Sequence, residues 1–212
     1  MAQSKFCSLL IVKAVPNEWD RSGRLSGTAD LPLVEGAVRR FSELGKNYAG
    51  SLAALIRGPE QACADIAGAF APRRKARTEE QLHEVGLGLW QGMSEMEVEQ
   101  RFSSCYRDWK VNPASVSIPE AESFLEAQQR LATALAKPAI KYAADAKHVA
   151  VVMRPLASTL VRCWLEGREI TDFWEVFDAG LGPDGDVTPI LVESTRLKDL
   201  PAASGIPTRT RR

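Results

Sequence analysis

The chain is poor in imidazole: 212 residues contain only two histidines, His83 and His148. It also lacks net charge, because 27 basic residues cancel 27 acidic ones. That balance excludes a nucleic-acid binder working through bulk positive charge. No apolar run approaches the ~20 residues of a membrane-spanning helix. A short apolar stretch does follow Met1–Lys5. Lys13 interrupts it, so it reads as a strand and not as a secretory leader. Cys7, Cys63, Cys105 and Cys163 are scattered and form no C-x-x-C pair. A zinc or redox site is therefore not expected, and each thiol is expected as a small apolar residue in a reducing cytoplasm. No cofactor, metal, nucleic acid or membrane partner is expected. There is no internal repeat and no low-complexity block.

What remains is an ordinary globular composition, 45% apolar and 25% charged, with enough chain for one packed domain spanning residues 1–212. Ser8–Val12 is continuously apolar, too short for a helix, and suits a strand buried on both faces. Leu33, Ala37, Phe41 and Leu44 recur at helical spacing over 33–44. Leu52–Ile56 reads as a second strand, and Glu60–Phe70 as an alanine-rich helix. Ser94 and Glu97 form a capping box before a helix near 95–103. Pro113 and Pro119 bracket an irregular loop, and Glu122–Leu135 is helical. Lys147–Met153 returns to a strand, followed by a helix from Leu156 to Leu165 that stops at Gly167. Val187–Val192 is the last strand, and residues 203–212 form a basic, frayed tail.

Strands alternating with helices predict a three-layer α/β/α domain around a mostly parallel sheet, with a helical, lid-like insertion over about 92–137. Ligands of such sheets bind beyond the carboxyl ends of the strands. The residues to inspect are therefore Lys13-Ala14-Val15, Arg57 and Arg154-Pro155.

Those residues resemble the histidine phosphatase superfamily, in its phosphoglycerate-mutase-like branch. Lys13-Ala14-Val15-Pro16-Asn17-Glu18-Trp19-Asp20 stands where members carry R-H-G-E-T-x-W-N. Gly23-Arg24-Leu25-Ser26-Gly27-Thr28-Ala29-Asp30-Leu31-Pro32-Leu33 is similar to G-R-x-Q-G-x-x-D-x-P-L. Leu55-Ile56-Arg57 with Glu60-Gln61-Ala62 is similar to L-x-R-A-x-E-T-A. Leu82–Gly92 is similar to L-x-E-x-x-x-G-x-W-E-G, Ala121-Glu122-Ser123 to G-E-S, and Val151–Pro155 to V-V-S-H-G. Taken in order across about 145 residues, these segments carry the resemblance.

The resemblance implies a chemistry that this chain does not repeat. In the family a histidine after the first strand attacks phosphorus, two arginines and a second histidine hold the oxygens, and a glutamate protonates the leaving group. The nucleophile position is Ala14, whose methyl group cannot carry a phosphoryl group. The second histidine is Arg154, the flanking glycines are Val15 and Pro155, the first arginine is Lys13, and the motif asparagine is Asp20. Arg57 and the acid Glu84 are retained. His148 lies six residues before Arg154 on one strand, roughly 20 Å away. His83 is expected to face away from Glu84's side.

Lys13, Arg57 and Arg154, with Asp20 and Arg24, are expected to form a pocket for a phosphate-like anion. The same cations could instead pair with Glu84 and Asp20. Val15 and Pro155 should narrow the site, since one adds a branched side chain and the other removes an N–H. Arg73–Arg77 is expected as a solvated basic loop. Phe102, Tyr106 and Trp109 are expected to pack the middle section onto the core, with a ligand platform as the alternative, and Phe173, Trp174 and Phe177 to pack the C-terminal part, with a partner interface as the alternative.

Three functions stay open. The first is a catalytically silent relative binding a phosphorylated small molecule, an inorganic anion or a partner protein. The second is a phosphomonoester hydrolase with a rebuilt mechanism, in which Glu84 activates water. The third is a structural protein with a closed pocket. A homodimer is a further partner arrangement left open.

Overall fold

The computed structural model describes residues 6–142, 147–179 and 187–201. The tail expected over 203–212 lies outside them. Strand β1 (Phe6–Lys13) leads through a one-turn helix α1 (Glu18–Arg21) to α2 (Ala37–Lys46), β2 (Leu52–Arg57) and α3 (Gln61–Phe70). A two-residue strand β3 (Arg77–Thr78) follows. The middle section contributes α4 (Glu95–Arg101), α5 (Ser103–Val111) and the long α6 (Phe124–Tyr142). Then come β4 (His148–Met153), α7 (Pro155–Glu166), α8 (Phe173–Ala179) and β5 (Val187–Glu193).

The sheet order is β3-β2-β4-β1-β5. β4 lies parallel to both β1 and β2, and β3 runs parallel to β2. Only β5 is antiparallel, pairing with β1 from Phe6↔Glu193 to Val12↔Val187. The mostly parallel α/β fold expected from the strand–helix alternation is the observed one. Successive side chains of a strand point to opposite faces. Leu9 and Ile11 accordingly join one core with α6 and α7, while Leu10 and Val12 join a second core under α2 and α3. A chain buried on both faces explains why β1 and β4 read as continuous apolar runs.

Several boundaries moved for local reasons. The helix expected from 33 begins at Ala37, because Gly36 takes a left-handed conformation (φ 85°) and Leu33 bridges to Asn17. α6 runs beyond Leu135 through Pro138 to Tyr142, since Ala136, Pro138 and Ala139 continue its buried face. The Ser94–Glu97 capping box is present. A second box was not anticipated: the Asn17 side chain accepts from the Asp20 N–H, and the Asp20 side chain accepts from the Asn17 N–H. α7 starts with Pro155 at its first position, where a missing N–H costs nothing, and ends at left-handed Gly167.

Two glycines test the packing of α2 on α3. A Cβ added at Gly45 would stand 1.9 Å from the Phe70 carbonyl oxygen, whereas one at Gly68 meets nothing within 4 Å. Gly45→Ala is expected to lose about 1–3 kcal/mol by overpacking. Gly68→Ala should gain about 0.5–1 kcal/mol from helix propensity. Urea denaturation followed by circular dichroism reads both, and equal signs for the pair would refute this packing.

Candidate ligand-binding cleft

A cleft of about 680 Å³ opens beyond the carboxyl ends of β1 and β4. The structure brings Lys13, Asp20, Arg24, Glu84 and Arg154 to its lining, but not Arg57. The Arg57 guanidinium instead turns back on its own chain and donates to the Gly58 carbonyl (2.8 Å) and the Pro59 carbonyl (3.2 Å). Arg24 donates to the Gly92 carbonyl at 2.8 Å and lies 3.5 Å from Glu97. Val15 and Pro155 line the cleft without filling it.

Ala14 sits at the end of β1, fully buried, with its N–H on the Met153 carbonyl at 2.7 Å. Its methyl group packs in the second core with Leu10, Val12 and Phe41, and Ala14 is not part of the cleft lining. Neither histidine lines the cleft. His148 opens β4 beside Ser8, whose hydroxyl is 2.7 Å from its Nδ1. The His83 ring stays on its own backbone, with Nδ1 2.9 Å from the Glu84 carbonyl oxygen.

Arg154 forms the floor and is only 2% exposed. Its Nη2 donates to both oxygens of Asp20, at 3.1 and 3.0 Å, and its Nη1 donates to the Ala14 carbonyl. The α1 capping box positions Asp20, and the Ser26 hydroxyl adds a donor at 3.2 Å. A carboxylate fixed by a helix cap thus neutralises the guanidinium, and of the two arrangements open from the sequence, Arg154 adopts the paired one.

Glu84 is also only 2% exposed. It accepts from its neighbour Val85 N–H (2.8 Å) and from the α7 amides of Ala157 (2.7 Å) and Leu156 (2.9 Å). The Leu156 and Ala157 N–H groups have no partner within the helix, so the carboxylate caps α7 where the dipole favours negative charge. Burial nevertheless raises its pKa to about 7, against the opposing pull of Arg154 and the three backbone donors. The Glu60 carboxylate sits behind it, accepting the Glu84 N–H at 2.7 Å.

The far wall of the cleft is aromatic. Trp109, from α5, is 1% exposed and packs edge-on against Trp90, as expected of a core residue. It also lines the cleft together with Trp174 and Phe177 of α8. A place for α8 in the cleft lining differs from both readings of Phe173, Trp174 and Phe177, packing of the C-terminal part and a partner interface. No spacing signal could have separated inward Phe173 from cleft-facing Trp174 and Phe177, because Phe177 lies three residues from Trp174 and four from Phe173, and both spacings make helical neighbours. Lys110 Nζ lies 4.2 Å from the Trp174 ring centroid, and Lys13 Nζ lies 5.9 Å from that of Phe177. Among the described residues, no group of three histidine, cysteine or acidic side chains could hold a metal ion.

A mostly parallel sheet flanked by helices, with its cleft beyond β1 and β4, defines a phosphoglycerate-mutase-like α/β fold. The histidine phosphatase superfamily model (branch 1) matches residues 11–180, and the chain belongs to that family. It is 23% identical over 169 residues to phosphoserine phosphatase 1 of Hydrogenobacter thermophilus, covering 78% of this chain and 79% of that protein. Among solved structures, Bacillus stearothermophilus YhfR superposes with a TM-score of 0.71 at 20% identity, over 79% of this chain and 83% of that one. The phosphoglycerate mutase of Bacillus anthracis superposes with a TM-score of 0.68 at 18% identity, over 78% and 82%. At these identities the structural likeness establishes the fold alone. No helix among the described residues is long and apolar enough to cross a membrane.

Proposed function

We propose that this chain is a catalytically silent histidine phosphatase relative whose cleft binds a small ligand without turning it over. One observation carries this reading. Ala14 occupies the position assigned to the attacking imidazole, and its methyl group lies in the core, outside the cleft. Without a nucleophile no phosphoenzyme forms, and groups that act as a unit lose most of their effect when one is removed.

The rebuilt hydrolase is the weaker reading. Its favourable feature is Glu84, whose pKa of about 7 suits proton transfer. Three backbone N–H groups already take three of the roughly four acceptor sites it would use on water. The cations meant to hold phosphate are committed as well, Arg154 to Asp20 and Arg57 to carbonyls. The proposal includes a cytoplasmic location, supported by four free cysteines, three of them buried.

An assay on p-nitrophenyl phosphate and sugar phosphates tests this. No turnover above that of the Glu84→Gln variant is expected. Turnover comparable to that of an active relative, lost in Glu84→Gln and carrying solvent oxygen into the released phosphate, would establish the rebuilt hydrolase instead.

A further inference from the structure

We infer that the cleft takes an aromatic carboxylate, a flat ring system bearing one negative charge, in place of a phosphate ester. The inference rests on the silent-cleft reading and names its ligand class. The floor is where a phosphate dianion would have to seat, and there Arg154 is buried and already paired with Asp20. Asp20, Glu95 and Asp178 also line the cleft and oppose a second negative charge on a ligand.

The wall offers the opposite character. The Trp109 and Trp174 rings meet edge-to-face, with centroids 4.5 Å apart and planes at 76°. Trp174 and Phe177 do the same at 5.4 Å and 69°. The Trp174 Nε1–H donates to the Trp109 carbonyl at 2.7 Å, tying α8 to α5 and holding the ring in place. Leu25 and Leu87 line the cleft too. The cleft these rings wall on one side, with charged side chains on the other, has a volume of about 680 Å³, within the roughly 300–1,000 Å³ typical of small-molecule sites. Aromatic ligands pack on such edges and faces in the same offset arrangements the walls use among themselves.

Two ammonium groups stand beside this wall. Lys110 Nζ lies over Trp174 and 3.8 Å from Glu95, and Lys13 Nζ lies toward Phe177. A ring packed against this wall would bring its single carboxylate to the side of the cleft that both ammonium groups line. One carboxylate matches point charges of this kind, whereas a phosphate is better met by planar guanidinium forks; of the three that line the cleft, Arg154 is held by Asp20 and Arg24 by the Gly92 carbonyl, and Arg40 is the third.

The test is a titration of the full chain with 2-naphthoate, 2-naphthylmethanol, 2-naphthyl phosphate and inorganic phosphate, read by tryptophan fluorescence and thermal shift. The expected order is saturable binding of 2-naphthoate, at least tenfold weaker binding of the neutral alcohol and of the phosphate ester, and no shift with inorganic phosphate. Lys110→Met, on an exposed position, should weaken 2-naphthoate about tenfold and leave the alcohol unchanged. Phe177→Leu should weaken both. Tighter binding of 2-naphthyl phosphate than of 2-naphthoate, or no response to 2-naphthoate, overturns the ligand class. Release of naphthol from 2-naphthyl phosphate instead overturns the silent reading beneath it, so the two failures are distinguishable.

Discussion

Arg154→Ala is expected to lower stability by about 3–5 kcal/mol at pH 8, the cost of leaving buried partners uncompensated. The guanidinium is 2% exposed and serves three groups at once: Asp20, the Ala14 carbonyl and the field around Glu84. Removing it leaves the Ala14 carbonyl without that donor and takes away the cation that opposes the burial of Glu84, so at pH 8 Glu84 must either stay ionised without a counter-charge or take up a proton, and either one costs stability. Asp20 keeps water on one side, with 20% of its side chain exposed, so the lower end of the range is expected. At pH 5 the loss should shrink, because Glu84 can then take up a proton. Arg154→Lys should recover only part of the stability, since one ammonium cannot span both Asp20 oxygens and reach the Ala14 carbonyl as well. Urea unfolding at pH 5 and pH 8 measures all of this. A loss below about 1 kcal/mol at pH 8 would mean that the pair contributes no more than a surface ion pair.

The second large effect is a pH dependence that follows Glu84. Its pKa rises from 4.5 to about 7 in the folded chain, chiefly through burial. The folded state therefore binds a proton more tightly than the unfolded state between these values. Stability from this group is fully present below pH 4.5, falls as pH rises, and is lost above pH 7. At about 1.4 kcal/mol per unit, the swing is on the order of 3 kcal/mol. Glu97 acts in the other direction, because the Ser94 backbone and hydroxyl hold its pKa low. The useful quantity is thus the difference between the wild-type chain and Glu84→Gln. That difference should decline by about 3 kcal/mol from pH 4.5 to pH 7.5, whatever offset the amide introduces at the α7 amides. A pH-independent difference would show that Glu84 is ionised throughout.

The fold was legible in the sequence where a pattern was local. β1 and β4 are apolar on both faces because helices cover both sides of the sheet, so each was visible as a continuous run. The Ser94 capping box and Gly167 stop are short-range signals, and both appear where expected. The α2 start was misplaced because one left-handed glycine overrides the apolar spacing before it. At the cleft, the resemblance assigns Ala14 and Arg154 to positions expected to carry imidazole, a reading that rests on residue identity and needs no geometry. The disposition of Arg57 was not legible. A guanidinium at the end of a strand can reach outward to a ligand or back to a carbonyl, and sequence does not distinguish the two.

The amino-acid sequence alone determined the family pattern and the alternating α/β order, and by resemblance it sets Ala14 and Arg154 at the positions where imidazole is expected. These are properties of residue identity and of spacing within a turn or a strand. Tertiary structure alone decided that Asp20 neutralises Arg154 across 134 residues. It also decided that Glu84 caps a helix 73 residues away, and that Trp174 and Phe177 complete a wall beside Lys13. Such contacts depend on how the strand ends converge in space, and no periodicity in the chain encodes which of several equally charged neighbours a buried side chain will meet.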